Sequence, residues 1–285
     1  MCSSDLPEIY LNVTNVQWAG ALLLVQQVLA VRPANGRERA CDFAVLVLLG
    51  LTGPFIIALL PLFAWRWWRD RHADNLTALL VAAACAAVQG ACIHHAAITF
   101  EHQHAALDPA AAVVALARRV VVWPILGPVA ARDLPGVVQA GLGLAAAAFV
   151  AWRTVSAAEH RETRRVLLAA GALLLAAGFL RMRPDTWTGD DLAFSDRYFF
   201  PPRAILLWLL AFDVAAAAPA AALTARLALL GAVFVHLPVF RFPAPRDFRW
   251  AEHCDPIRRG TPAAIPILPE GWTLHYPGRQ PATRP

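Results

Sequence analysis

The chain has 285 residues, of which 58% are apolar and only 16% charged, and its mean hydropathy is +0.50. Water-soluble domains are nearer a quarter charged, so the composition excludes an ordinary soluble domain. The net charge of +5 rests on 25 basic residues, all arginine; beside apolar runs such an excess sets membrane orientation and does not imply nucleic-acid binding.

In chain order, Cys2–Leu6 reads as a non-native leader, which would make residues 1–6 foreign and the chain an N-terminally truncated fragment. Residues 7–240 read as a transmembrane helical domain and 241–285 as a polar, proline-rich tail. Asn12, Asn15 and Gln17 place three amides at the outer end of the first apolar run, Trp18–Val31. Buried amides need partners; these could line a cavity or cap the helix, with Thr14 or Asn15 as N-cap.

Phe43–Trp65 is long enough to cross the ~30 Å hydrocarbon core but contains Pro54 and Pro61. A single crossing would put the basic segments 32–42 and 66–74 on opposite faces. Turning back at Gly53-Pro54 keeps both on one face, so a broken or re-entrant hairpin is expected, against a single kinked helix. Leu76–Ile98 is a full-length span. Cys85 and Cys92, seven positions apart within it, read as small packing residues. His94, His95, Glu101, His102 and His104 have metal-binding chemistry but match no metal motif, so neither a metal nor another cofactor is expected. Arg118-Arg119 interrupts the apolar stretch 109–126, which reads as an interfacial helix on the outer face or the roof of a cleft.

Leu134–Trp152 and Val166–Leu180 are further spans, separated by the basic segment 153–165. The 182–203 connector carries the preferred site. Asp190, Asp191, Asp196, Arg197 and Tyr198 gather carboxylates, a guanidinium and an aromatic ring at a span mouth. Arginine forks suit phosphate, although Tyr, Phe and Arg at a helix end also serve as interfacial anchors. Phe199, Phe200 and Arg203 read as such anchors. Ala204–Ala222 and Leu227–Phe240 complete about seven apolar segments, with Arg226 at the turn between the last two. Asp213 is a lone carboxylate in a span; a proton relay is the sharper reading, and pairing with Arg226 or an amide the simpler one.

An all-α polytopic bundle follows. The arginine-rich segments face the cytoplasm, and the 182–203 loop and tail lie outside. The arginine-only, alanine- and proline-rich composition suggests a GC-rich genome and a bacterium, so the expected location of such a bundle is the bacterial inner membrane.

The segment PEIYLNVTNVQW before a span, GLTGPF within the next run, the loop DRYFFPPR and the tail motif PEGW resemble a group of uncharacterised bacterial multi-pass membrane proteins. That group is similar to membrane glycosyltransferases that use polyprenyl-phosphate sugars. The resemblance covers most of residues 7–272. It implies transfer of a sugar from a lipid phosphate on the extracytoplasmic face, in cell-envelope glycan assembly. In such enzymes a carboxylate of the first outer loop acts as base; no residue of this chain takes that role. A transporter or lipid flippase, and a non-catalytic membrane partner, are the alternatives.

Overall fold

A computed structural model describes residues 16–30, 32–95, 108–181, 196–240, 250–267 and 272–278. The chain divides into two units, Met1–His236 and Leu237–Pro285.

Every regular element among the described residues of the first unit is helical. α1 is Val16–Leu29, α2 Gly36–Thr52, α3 Phe55–Arg69 and α4 Ala73–His95. α5, Pro109–Leu116, passes through a π-helical turn, Ala117–Val122, into α6, Trp123–Asp133. α7 is Gly136–Ser156 and α8 Arg161–Arg181. A 3-10 turn, Asp196–Phe199, leads into α9, Phe200–Asp213, and α10 is Pro219–His236. Four stretches are long and apolar enough to cross a bilayer: Ala73–His95, Pro109–Asp133, Gly136–Ser156 and Pro219–His236. Their outward faces are apolar, with Leu80, Val129, Val137, Leu227 and Phe234 exposed, as lipid-facing helices require.

The Phe43–Trp65 run is not one helix. Gly53 and Pro54 separate α2 from α3, and the two then run antiparallel. α2 lies parallel to α4: Arg39 pairs with Asp74 at 2.9 Å, Gly50 lies against Cys85, and Gln89 Nε2 donates to Leu51 O at 2.6 Å. α3 returns and joins α4 through residues 70–72. The flanks therefore meet, and Arg32 grips Asp70 at 2.6 Å. At the tip, a Cβ on Gly53 would stand 2.9 Å from Gln17 Cβ and 2.8 Å from its Oε1, so only glycine admits α1 there. At the other end Arg66 donates to Gln27 O, Val28 O and Ala30 O, satisfying carbonyls that the end of α1 leaves open.

Two expectations need correction. The 109–126 helix is not a lone surface element. It continues to Asp133, broken at Gly127 (φ 89°) before Pro128, and it buries more of itself than the other three candidate spans do. Its arginines are tolerated because protein, not lipid, surrounds them: Arg119 is fully buried. Likewise Ala204–Ala222 is not one span. α9 stops at Asp213, α10 starts at Pro219, and Arg226 lies inside α10, reaching back with Nε to Val214 O at 3.0 Å.

The main core joins α1, α2, α3, α4, α8 and α9 through Leu24, Leu46, Ile56, Ala82, Leu167 and Leu209. Each fully buried leucine or isoleucine is worth about 1.5–3 kcal/mol in water. In lipid, close packing of small residues replaces that gain, as at the Gly50–Cys85 approach.

The second unit has a helix, α11 (Trp250–Arg259), packed on an antiparallel hairpin of β1 (Ala263–Ile267) and β2 (Trp272–Tyr276). Ala263 pairs with Tyr276 and Ile267 with Trp272. The all-α expectation holds for the described residues of the first unit, and the tail adds a two-stranded hairpin beside its helix.

Candidate functional site

The helices of the first unit share two polar ends. Arg69 pairs with Glu162 at 2.5 Å, linking the α3–α4 connection to the start of α8. The basic segments 32–42, 66–74 and 153–165 thus gather at one end. Gln17, Gly53 and Tyr198 mark the other.

At that second end Pro201 and Pro202 open α9, where the first turn lacks N–H partners anyway. This turn swings Arg203 back over the 3-10 turn. Its guanidinium grips Asp196 bidentately, with Nη1 to Oδ2 at 2.8 Å. Nε donates to Arg119 O at 2.6 Å, and the group lies 4.4 Å from the Trp123 ring centre. A π-turn tilts carbonyls away from regular helical pairing, and here one of them receives Arg203. Arg119 lies 5.1 Å from the Phe199 ring. Arg118 Nε donates to Gln139 Oε1 at 2.9 Å, and Gln139 Nε2 donates to Ala131 O and Leu134 O. Three arginines, a carboxylate and an amide therefore surround one π-turn.

The sequence-predicted residues fare unequally. Asp196 is buried and held by Arg203, so its carboxylate organises the site and is not open to a ligand. Arg203 is correspondingly a clamp and not an interfacial anchor, and Phe199 is core. Tyr198 is half-buried, edge-on to Trp18 at 4.9 Å, and Trp18 meets Phe55 at 4.8 Å. Arg197 is exposed, 5.7 Å from the Tyr198 ring. Gln17 packs on the hairpin tip, apart from the π-turn cluster. Asn12, Asn15, Asp190 and Asp191 lie outside the described residues, as do Glu101, His102 and His104; His94 and His95 are exposed neighbours, with ring centres 6.0 Å apart.

Arg118, Arg119, Trp123 and Gln139 were not read as site residues. The signal was present: two adjacent arginines in an apolar run must find buried partners. The partner's identity was not, because Gln139 lies 21 positions on.

Asp213 is the second buried ionic centre, at the arginine-rich end. Arg153 Nε donates to Oδ1 at 2.8 Å, while Arg164 Nη2 and Nη1 donate to Oδ1 and Oδ2 at 2.8 and 3.1 Å. The side chains are 8%, 2% and 2% exposed for Arg153, Arg164 and Asp213. The expected partner, Arg226, is not engaged with the carboxylate.

Surface hollows also lie away from both centres. A shallow one of about 630 Å³ runs along α2 between Phe43, Val47, Leu48 and Leu51, and its apolar lining fits a lipid-facing surface. No protein-family model matches the chain, and no curated protein or solved structure is detectably similar to it.

Proposed function

We propose that the chain is a multi-pass protein of a bacterial inner membrane that handles a lipid-phosphate-linked sugar in cell-envelope glycan assembly, at the end marked by Arg197 and Arg203. The gathering of Arg118, Arg119 and Arg203 with Asp196 and aromatic rings, inside one end of an apolar bundle, carries this reading. Ionisable groups within apolar helices are costly and generally mark a substrate path. The exposed Arg197 fork suits the donor phosphate, and the half-buried Trp123 and Tyr198 suit a sugar face or the headgroup zone. The 182–203 loop and the tail are read as extracytoplasmic.

In the proposed transfer an acceptor hydroxyl oxygen bonds to the anomeric carbon. The carbon–oxygen bond to phosphate breaks, and the lipid phosphate leaves with the electron pair. A base takes the hydroxyl proton; the described residues offer no open carboxylate for that role at the π-turn cluster. Arg197, exposed at the rim, steadies the charge that builds on the departing phosphate.

The transporter reading leaned on Asp213 as a relay. Both oxygens of that carboxylate are already occupied by buried guanidiniums, which favours the transfer reading. The test is deletion of the gene, complemented with Arg197→Ala. Envelope glycan composition should change on deletion. Loss of one charge-assisted contact, about 1.5–3 kcal/mol, should slow transfer by about tenfold to a hundredfold. Unchanged glycan on deletion would sink the proposal.

A further inference from the structure

At the arginine-rich end, α7, α8 and α10 bring Arg153, Arg164 and Arg226 to the close of α9, and Arg161 opens α8 one turn before Arg164. Asp213 is the one buried acid there among the described residues, and it accepts from both Arg153 and Arg164. One carboxylate between two buried guanidiniums leaves one positive charge unmatched. Arg164 Nε is buried and has no acceptor. Arg153 uses only Nε on Asp213, which leaves its terminal nitrogens for another acceptor.

The rim repeats the pattern. Arg226 spends Nε on Val214 O, the residue after Asp213, and Arg161 spends Nε on Ala157 O at 3.4 Å; both side chains are otherwise exposed. Of the acids that face this cluster, Glu162 is held by Arg69 and Arg165, and Glu159 is exposed without an ion pair among the described residues. Trp152 lies at the same level, half exposed, with the Arg153 guanidinium 5.4 Å from its ring centre. Indole rings favour the zone between hydrocarbon and headgroups.

We infer that this corner binds a phosphate anion, through Arg153, Arg161 and Arg226, most readily the headgroup phosphate of an acidic phospholipid. The unmatched charge calls for an anion, the guanidinium forks suit phosphate oxygens, and basic residues at a membrane surface attract acidic headgroups. The site is independent of the proposed sugar-transfer centre at the opposite end.

The test uses the full chain in detergent, with its unfolding midpoint followed as phosphatidylglycerol, phosphatidylcholine or inorganic phosphate is added. Binding to the folded state raises the midpoint with ligand concentration. Phosphatidylglycerol should raise it by several degrees and phosphatidylcholine should not. The Arg161→Gln/Arg226→Gln variant, which leaves the buried triad intact, should lose most of that shift while keeping the ligand-free midpoint. Arg197→Ala should keep the shift in full. If inorganic phosphate at millimolar concentration reproduces the shift, the phosphate chemistry stands and its source is the solution. An equal response to both lipids, or a full response in the double variant, overturns the site.

Discussion

Asp213 sets the terms at the residue scale. Removing one partner of a buried pair costs about 3–5 kcal/mol, because the remaining charge is left uncompensated. Asp213→Asn strands two buried guanidiniums, so the unfolding free energy in detergent should fall by that amount. Arg226→Gln, at an exposed residue holding only a carbonyl, should cost less than about 1 kcal/mol. Equal losses from the two would return Asp213 to the partner that sequence spacing suggests. A lone carboxylate in an apolar run announces a need for a partner; it does not name it, because the partners lie 60 and 49 positions away. Asp70 makes a milder case. The hydrogen bond from Arg32 holds its carboxyl below the ordinary carboxylate range, against some opposing desolvation. A depressed folded pKa contributes stability above the unfolded value of about 4 and loses it as pH falls through the folded value. The gap in unfolding midpoint between wild type and Arg32→Gln should therefore be open at neutral pH and close on acidification below about pH 4.

Among the elements, the α2–α3 break was the most legible, because Gly53-Pro54 and two basic flanks cannot be reconciled with one crossing. What no pattern could supply was the neighbour that makes glycine obligatory, since α1 reaches the tip only in three dimensions. Gly53→Ala would set a Cβ 2.9 Å from Gln17 Cβ, an overpacking that costs about 1–3 kcal/mol. Gln17→Ala retains that Cβ and removes only the amide, so it should relieve little; Gln17→Gly should recover most of the loss in the double variant, after allowance for its own helix cost. Thermal unfolding of the four proteins reads the cycle, and additive losses would mean that the contact is not the cause. The α9–α10 boundary was harder to read. Val214–Ala218 is as apolar as the helices around it, and only Asp213 and Pro219 punctuate it. The π-turn was hidden for a related reason: hydropathy records Arg118 and Arg119 as a barrier to insertion, whereas burial beside α7 and α9 removes the barrier.

At the scale of the molecule, ion pairs fix what hydropathy leaves open. Arg32–Asp70 and Arg69–Glu162 hold three basic segments at one end, and the Trp18–Tyr198 contact ties α1 to the start of α9 at the other. Arginine excess predicts that the first end faces the cytoplasm. A cysteine-free chain carrying single replacements makes this measurable in intact cells. Arg197→Cys should react with a thiol reagent that cannot cross membranes. Ala34→Cys, Arg71→Cys and Ala158→Cys should react only after the membrane is opened. Two crossings, one by α2 and one by α3, or a pair that dips in and returns, both keep positions 34 and 71 on one face; a single kinked span separates them. Labelling of one of these two positions, but not the other, from outside would therefore break the hairpin topology. Labelling of all three inner positions with Arg197→Cys protected would instead preserve the hairpin and invert the whole bundle, moving the proposed sugar-transfer end to the cytoplasm.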